Sequence, residues 1–136
     1  MVYWLLKSEP FKYSWDDLLR DGKTSWDGVR NHQASRNLKL MRCGERGFFY
    51  HSNEGLAIVG IVEIVREYYP DESDERGQFG MVDVCPVAAL RRAVTLKQIK
   101  AEPKLADMAL VRQSRLSVGP VTDSEWALLC EMSERG

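Results

Sequence analysis

The chain opens on an apolar run whose side chains, alternating in an extended backbone, set Tyr3, Leu5 and Lys7 on one side and Trp4, Leu6 and Ser8 on the other. The alternation predicts a strand over 2–7, which Pro10 prevents from continuing. Ser14-Trp15-Asp16-Asp17 has the form of a capping box and predicts a short helix ending near Asp21-Gly22. The run from Thr24 to Asn37 is too polar for a core strand. Gly28 interrupts it too early for an ordinary helix, so it reads as a loop. Helical spacing returns over 35–41, with Ala34, Leu38 and Met41 turned inward and Gly44 as the stop.

Phe48-Phe49-Tyr50 reads as strand, Ser52 to Gly55 as a turn, and Ala57 to Glu67, dense in Ile and Val, as the next strand. Asp71 to Gly80 is an exposed acidic loop, inserted before a strand over 82–88. Thr95-Leu96-Lys97-Gln98 is a second capping box, opening a short helix before Pro103. Helical turns follow over 104–108 and 109–112, and 116–118 reads as a final strand. Thr122-Asp123-Ser124-Glu125 caps a last helix with Trp126, Leu129 and Cys130 on its inner face. Strands and helices interleave irregularly and several strand links are tight turns. This predicts an α+β fold around a mostly antiparallel, curled sheet, in one domain over residues 1–136.

Composition narrows the function classes. A content of 44% hydrophobic and 10% aromatic residues supplies a core, and there is no run of eighteen apolar residues to span a membrane. The N-terminus lacks the basic start and longer apolar stretch of a signal peptide, so a soluble, cytoplasmic protein is expected. A monomer is expected too, because no heptad or large apolar stripe stands out. Cys43, Cys85 and Cys130 lie far apart and read as small apolar fillers. His32 and His51 add no metal-ligand spacing and no Gly-rich phosphate loop follows a strand, so no cofactor is expected.

The formal net charge is −1, so any contact with nucleic acid must be local. Arg30, Arg36, Lys39, Arg42 and Arg46 stand against Glu45 alone, Arg112 and Arg115 add two cations, and the acids gather at 71–75. A basic binding face and an ordinary solvated helix surface fit these charges equally.

Candidate chemistry centres on 24–37, where Trp26 offers a π-face, Asp27 an acceptor and Asn31 both donor and acceptor. Arg30 and Arg36 offer forks suited to phosphate. An aromatic beside amides and arginines fits the reading of an unstacked base. Trp26 as a core plug under a long loop is the plainer alternative.

Segments spread over nearly the whole chain give a more specific reading. They are Tyr3 to Pro10, Tyr13-Ser14-Trp15, Trp26 to Asn31, Phe48 to Asn53, Ile58 to Ile61, Val82-Asp83-Val84 and Met108 to Val118. In this order they resemble the EVE domain family of the PUA-like superfamily. The resemblance implies a PUA-like, mostly antiparallel β-barrel decorated with short helices. It implies a reader of one modified base, such as a modified cytosine or another methylated base, in RNA or DNA. By similarity to the related YTH domains, Trp26 walls the pocket and Asn31 contacts the base, Ser8 borders it and Asn53 lies at its rim. Ser114 and Arg115 match a segment that touches RNA. Arg30 and Arg36 are then the phosphate contacts. Many EVE sequences carry an aromatic just before the Val-Asp-Val strand. Here Phe79-Gly80-Met81 stands there, with Met81 as a soft wall.

Two rivals remain at this point. The ASCH domains, also PUA-like, include small amidohydrolases acting on acylated cytidine, and Lys7, Ser8 and either Glu9 or Glu63 can be cast in such roles. A protein-interaction module using the acidic block at 71–75 is the third reading. A duplex target demands base flipping at a cost of a few kcal/mol, which favours RNA or already single-stranded targets.

Overall fold

The computed structural model describes residues 2–135. It contains β1 (Tyr3–Ser8), α1 (Trp15–Asp21), β2 (Thr24–Ser25), α2 (His32–Leu40), β3 (Arg46–His51), β4 (Ala57–Pro70) and β5 (Gly80–Thr95). There follow α3 (Leu96–Ala101), a 3-10 turn (Pro103–Leu105), α4 (Ala109–Arg112), β6 (Val118–Val121) and α5 (Asp123–Glu134).

The strands form one sheet in the order β2-β5-β4-β3-β1-β6. Only β1 and β3 run parallel, and register shifts within β4–β5 and β3–β4 curl the sheet. The expected α+β architecture with a mostly antiparallel, curled sheet is therefore present. The pairings end at β2 and β6, and no pairing among the described residues joins these two into a closed barrel.

Strand alternation divides the core in two. Trp4 and Leu6 of β1 and Phe49 of β3 face α1 and α2, in a cluster that includes Trp15, Leu18, Trp26, Leu38, Met41 and Val84. Leu5, Phe48 and Tyr50 face the other way, onto Ile99, Leu105, Met108 and Leu129. Trp126 sits at the edge of that second cluster, stacked on Phe48 at 4.0 Å and on Tyr3 at 4.2 Å.

All three expected capping boxes form, at Ser14/Asp17, Thr95/Gln98 and Thr122/Glu125. Several boundaries need correction. α2 begins at His32, before the expected Ser35, because the Asn31 side chain accepts from the Ala34 amide and caps it. Thr24 and Ser25 are not loop but a short strand paired with Val84 and Asp83. β5 runs on to Thr95, since β4 partners it along its length, and β6 starts at Val118 rather than Leu116. Cys43 is exposed and is no apolar filler, while Cys85 and Cys130 are half-buried.

Candidate functional site

A cleft of about 500 Å³ opens where β1 ends. Its walls are Lys7, Ser8 and Glu9 from the end of β1, Lys12 and Tyr13 from the turn before α1, and Thr24 to Gly28. Each wall is fixed by main-chain bonds. Ser8 Oγ donates to the Tyr13 carbonyl at 2.6 Å, and the Lys12 and Tyr13 amides both donate to the Glu9 carbonyl at 2.9 Å. On the opposite wall the Trp26 amide extends the β2–β5 ladder by donating to the Val82 carbonyl at 2.7 Å. Gly28 turns the chain away with φ 75°, in the left-handed region that glycine adopts without strain.

Trp26 belongs to the core and to the cleft at once. It is 8% exposed, and its ring meets Phe49 edge-on at 5.5 Å, yet it lines the cleft. The two readings of Trp26 from sequence are thus not exclusive, because a ring anchored on Phe49 is also a rigid wall. Ser8 shares this wall system. Its proton is committed to Tyr13, so toward a ligand its oxygen acts as acceptor, as does the exposed carboxylate of Asp27.

A second, shallower cleft of about 330 Å³ holds Asn31, Gln33 and Arg112 to Leu116. Ser114 and Arg115 are exposed there. Asn31 spends its side-chain oxygen on the Ala34 amide at 2.9 Å, which leaves its NH₂ group as the available donor. Arg112 is committed to Asp107 and to the Ala106 carbonyl.

The remaining expected residues lie elsewhere. Arg30 reaches Asp71 at 3.0 Å and Ser73 at 3.0 Å, under the 71–79 connection, and lines neither cleft. Arg36 is exposed on α2. Asn53 occupies a left-handed turn position (φ 69°) after β3, outside both clefts, although the neighbouring Ser52 amide donates to the Ser8 carbonyl. Met81 on β5 pairs with Tyr69 of β4 and Phe79 packs on His32 at 5.0 Å, so neither walls the Trp26 cleft.

Tyr13 and Thr24 line the Trp26 cleft without being legible as base-site residues from sequence, whereas Lys7 belongs to the Lys-Ser pair that the resemblance sets at the pocket border. Tyr13 carried a signal, since it stands in the Tyr-Ser-Trp segment that the resemblance rests on. Burial pushes the Lys7 ammonium below its usual range. The hydrolase casting fails on Glu63, which pairs with Arg46 opposite Tyr3, about 13 Å along the sheet from Lys7 at ~3.3 Å per residue. Glu9 lies 3.5 Å from Lys12. Among the described residues no group of three or more His, Cys, Asp or Glu is placed to hold a metal ion.

The family model of the EVE domain matches residues 2–132. Human thymocyte nuclear protein 1 is 34% identical over 98% of this chain and 74% of its own length. The crystal structure of that human protein in complex with 5-methylcytosine-containing DNA superposes with a TM-score of 0.95 at 33% identity, covering 100% of this chain and 99% of that one. Rpa0253 from Rhodopseudomonas palustris is 53% identical with a TM-score of 0.92, covering 98% and 93% of the two chains. The YTH domain of Zygosaccharomyces rouxii MRB1, solved with N6-methyladenosine RNA, shares the fold at 15% identity and a TM-score of 0.62, over 98% and 87%.

Proposed function

Because the chain belongs to the EVE domain family, we propose that it is a nucleic-acid-binding module that takes one modified nucleobase into the Ser8–Trp26 cleft. The observation that carries this reading is the wall itself. Trp26 is held by the Val82 carbonyl and by Phe49 beside a cleft whose volume lies in the range of about 300–1,000 Å³ typical of small-molecule sites. The complex of human thymocyte nuclear protein 1 with 5-methylcytosine DNA supports it, on a fold that matches along the whole chain.

The acceptors point to the class of base. Ser8 Oγ and the Asp27 carboxylate both seek donors, which suits the exocyclic amine of cytosine or adenine rather than the oxygens of uracil. A methyl group set against the Trp26 ring contributes about 0.8 kcal/mol through burial, or roughly fourfold in affinity over the parent base. The flanking chain then crosses the second cleft, where the Asn31 NH₂, Ser114 and Arg115 meet sugar and phosphate, with Arg36 nearby on α2 as a further cation. A net charge of −1 provides little to offset base flipping, so a single-stranded target is the better match.

The test is a calorimetric titration of single-stranded oligonucleotides carrying 5-methylcytosine, N6-methyladenine or their parents. Trp26→Ala and Trp26→Phe are run alongside, the latter retaining an aromatic against Phe49. Tighter binding of one modified base, lost in Trp26→Ala and partly kept in Trp26→Phe, is the expected result. Absence of binding across the panel, or equal binding by folded Trp26→Ala, overturns the reading.

A further inference from the structure

The 71–79 connection between β4 and β5 looks from its composition like a solvated acidic insertion, but its first carboxylate is buried. Asp71 is 3% exposed. Its Oδ2 accepts from the Gly28 amide at 2.9 Å and from Arg30 Nη1 at 3.0 Å, while its Oδ1 accepts from the Ser73 amide at 2.8 Å and from Ser73 Oγ at 2.6 Å. Arg30 closes the arrangement by donating to Ser73 Oγ at 3.0 Å and lying 5.7 Å from the Phe79 ring. Phe79 in turn packs on His32, the first residue of α2. Three positions of the 28–32 segment are therefore gripped from one connection.

Asp74 gives that connection its own shape. Its carboxylate accepts from the Arg76, Gln78 and Phe79 amides, at 3.1, 2.7 and 2.7 Å. None of these bonds reaches the 28–32 segment. Asp71 is the acid that crosses the gap.

We infer that Asp71 is the positioning residue of the base-binding loop: by holding Gly28 and Arg30 it sets where Trp26, Asp27 and Asn31 stand, and Arg30 serves this latch rather than a phosphate. The inference rests on the reading of the cleft given above. Gly28 lines that cleft two residues after Trp26, so a shift at its amide moves the wall directly. The arginine's Nη1 and Nη2 are both engaged, which leaves little of its fork for an external anion. Burial alone would raise the Asp71 pKa, but hydrogen bonds from Ser73, Gly28 and Arg30 outweigh it and hold the carboxyl well below the usual carboxylate range. The group is an anion at every pH at which the protein would bind nucleic acid.

Asp71→Asn, Asp74→Asn and Arg30→Gln are compared with the parent protein. The probe is whichever modified oligonucleotide the panel above identifies, measured beside its unmodified parent at a temperature where circular dichroism shows each variant folded. Gly28 amide exchange is followed by NMR. In Asp71→Asn the Gly28 amide is expected to exchange faster and the modified oligonucleotide to bind about tenfold or more weakly, the scale of a lost charge-assisted hydrogen bond. The preference for the modified base should shrink toward unity, which a general loss of stability would not produce. Asp74→Asn should disturb the connection yet keep that preference. Arg30→Gln removes one of the two grips, so it should weaken binding and shrink the preference in the same direction as Asp71→Asn, yet keep the salt slope of the parent, where loss of a single-strand phosphate contact would lower it by about 0.7. Unchanged affinity and preference in Asp71→Asn overturns the inference, and so does a reduced salt slope in Arg30→Gln. If the parent binds no oligonucleotide, the proposed function fails and the recognition role of Asp71 falls with it, while the tether is still judged separately by the Gly28 amide.

Discussion

The Lys7 ammonium donates to the main-chain carbonyl of Ser114 at 2.8 Å, across 107 positions of sequence. The Lys7 amide also donates to the Ser117 carbonyl at 2.9 Å. The end of β1, which carries Ser8 into the first cleft, is therefore tied to the segment that lines the second. This strand end thus fixes a wall of the first cleft relative to a wall of the second.

Replacing Lys7 by Met keeps an unbranched side chain and removes the ammonium that tethers Ser114 and lies 5.8 Å from the centre of the Tyr50 ring. The expected effect separates by ligand size. A modified nucleoside, confined to the first cleft, should bind within about twofold of the parent protein. An oligonucleotide spanning both clefts should weaken by about three- to tenfold, the scale of one hydrogen bond to a charged group. Calorimetry with the nucleoside and with a pentamer checks this. An equal loss for both ligands would show that Lys7 acts within the first cleft alone.

His51 makes the seat of α1 on the end of β3 sensitive to pH. Its Nε2 accepts from the Trp15 amide at 3.1 Å, a bond open only to the neutral ring. Burial lowers its pKa below 6.5, with Asp16 pulling weakly the other way. The unfolded chain therefore takes up a proton at higher pH than the native one does. Stability should be full above about pH 6.5 and fall as pH drops through the lower native value. Thermal melts at pH 7.5 and 5.0 should show this loss in the parent and much less of it in His51→Gln, whose amide oxygen can still accept. The carboxylates of Asp17 and Asp21, held low by hydrogen bonds from Ser14 and Arg20, report below about pH 4 instead. The same pH dependence in both proteins would remove His51 as the cause.

Local interactions were the legible part of the sequence. The three capping boxes close over three residues, and the two faces of β1 follow from alternation, so a single pass along the chain finds both. The start of α2 is hidden because Asn31 has Ala34 at N3, where a capping box needs a side-chain acceptor such as Asp, Glu or Gln, and because its amide also suits a base contact. The length of β5 was hidden because 85–93 lacks alternation and its strand state comes from pairing with β4. The partner of Glu45, Trp4 Nε1 at 3.0 Å, and the partner of Gly28, Asp71, lie 41 and 43 positions away. Sequence spacing carries no record of such pairs. One local trace of Asp71 did exist: Asp71-Glu72-Ser73 has the form of an Asx turn, which the Ser73 amide completes.

Gly60 shows a constraint of the opposite kind, set by close approach. A Cβ there would lie 2.5 Å from Cζ3 and 2.6 Å from Cζ2 of Trp15. The indole is 6% exposed and faces Phe49 at 5.5 Å, so it has no free space to retreat into. Gly60→Ala should destabilise the fold by about 1–3 kcal/mol, read as a lower denaturant midpoint at unchanged slope. A midpoint equal to that of the parent would mean that α1 yields without cost.

Arg115 is the cation of the second cleft that forms no ion pair among the described residues, whereas Arg112 is held by Asp107. If the flanking chain crosses this cleft, Arg115 meets a phosphate and releases a counterion. Arg115→Gln should then lower the salt slope of oligonucleotide binding by about 0.7, the value for one single-strand phosphate. The preference for a modified base over its parent should stay the same, since a phosphate contact carries no information about the base. Binding isotherms at several salt concentrations, on modified and parent oligonucleotides, give both quantities at once. A loss of preference with an unchanged slope would place Arg115 on the base edge instead, and would make the second cleft part of the reading pocket.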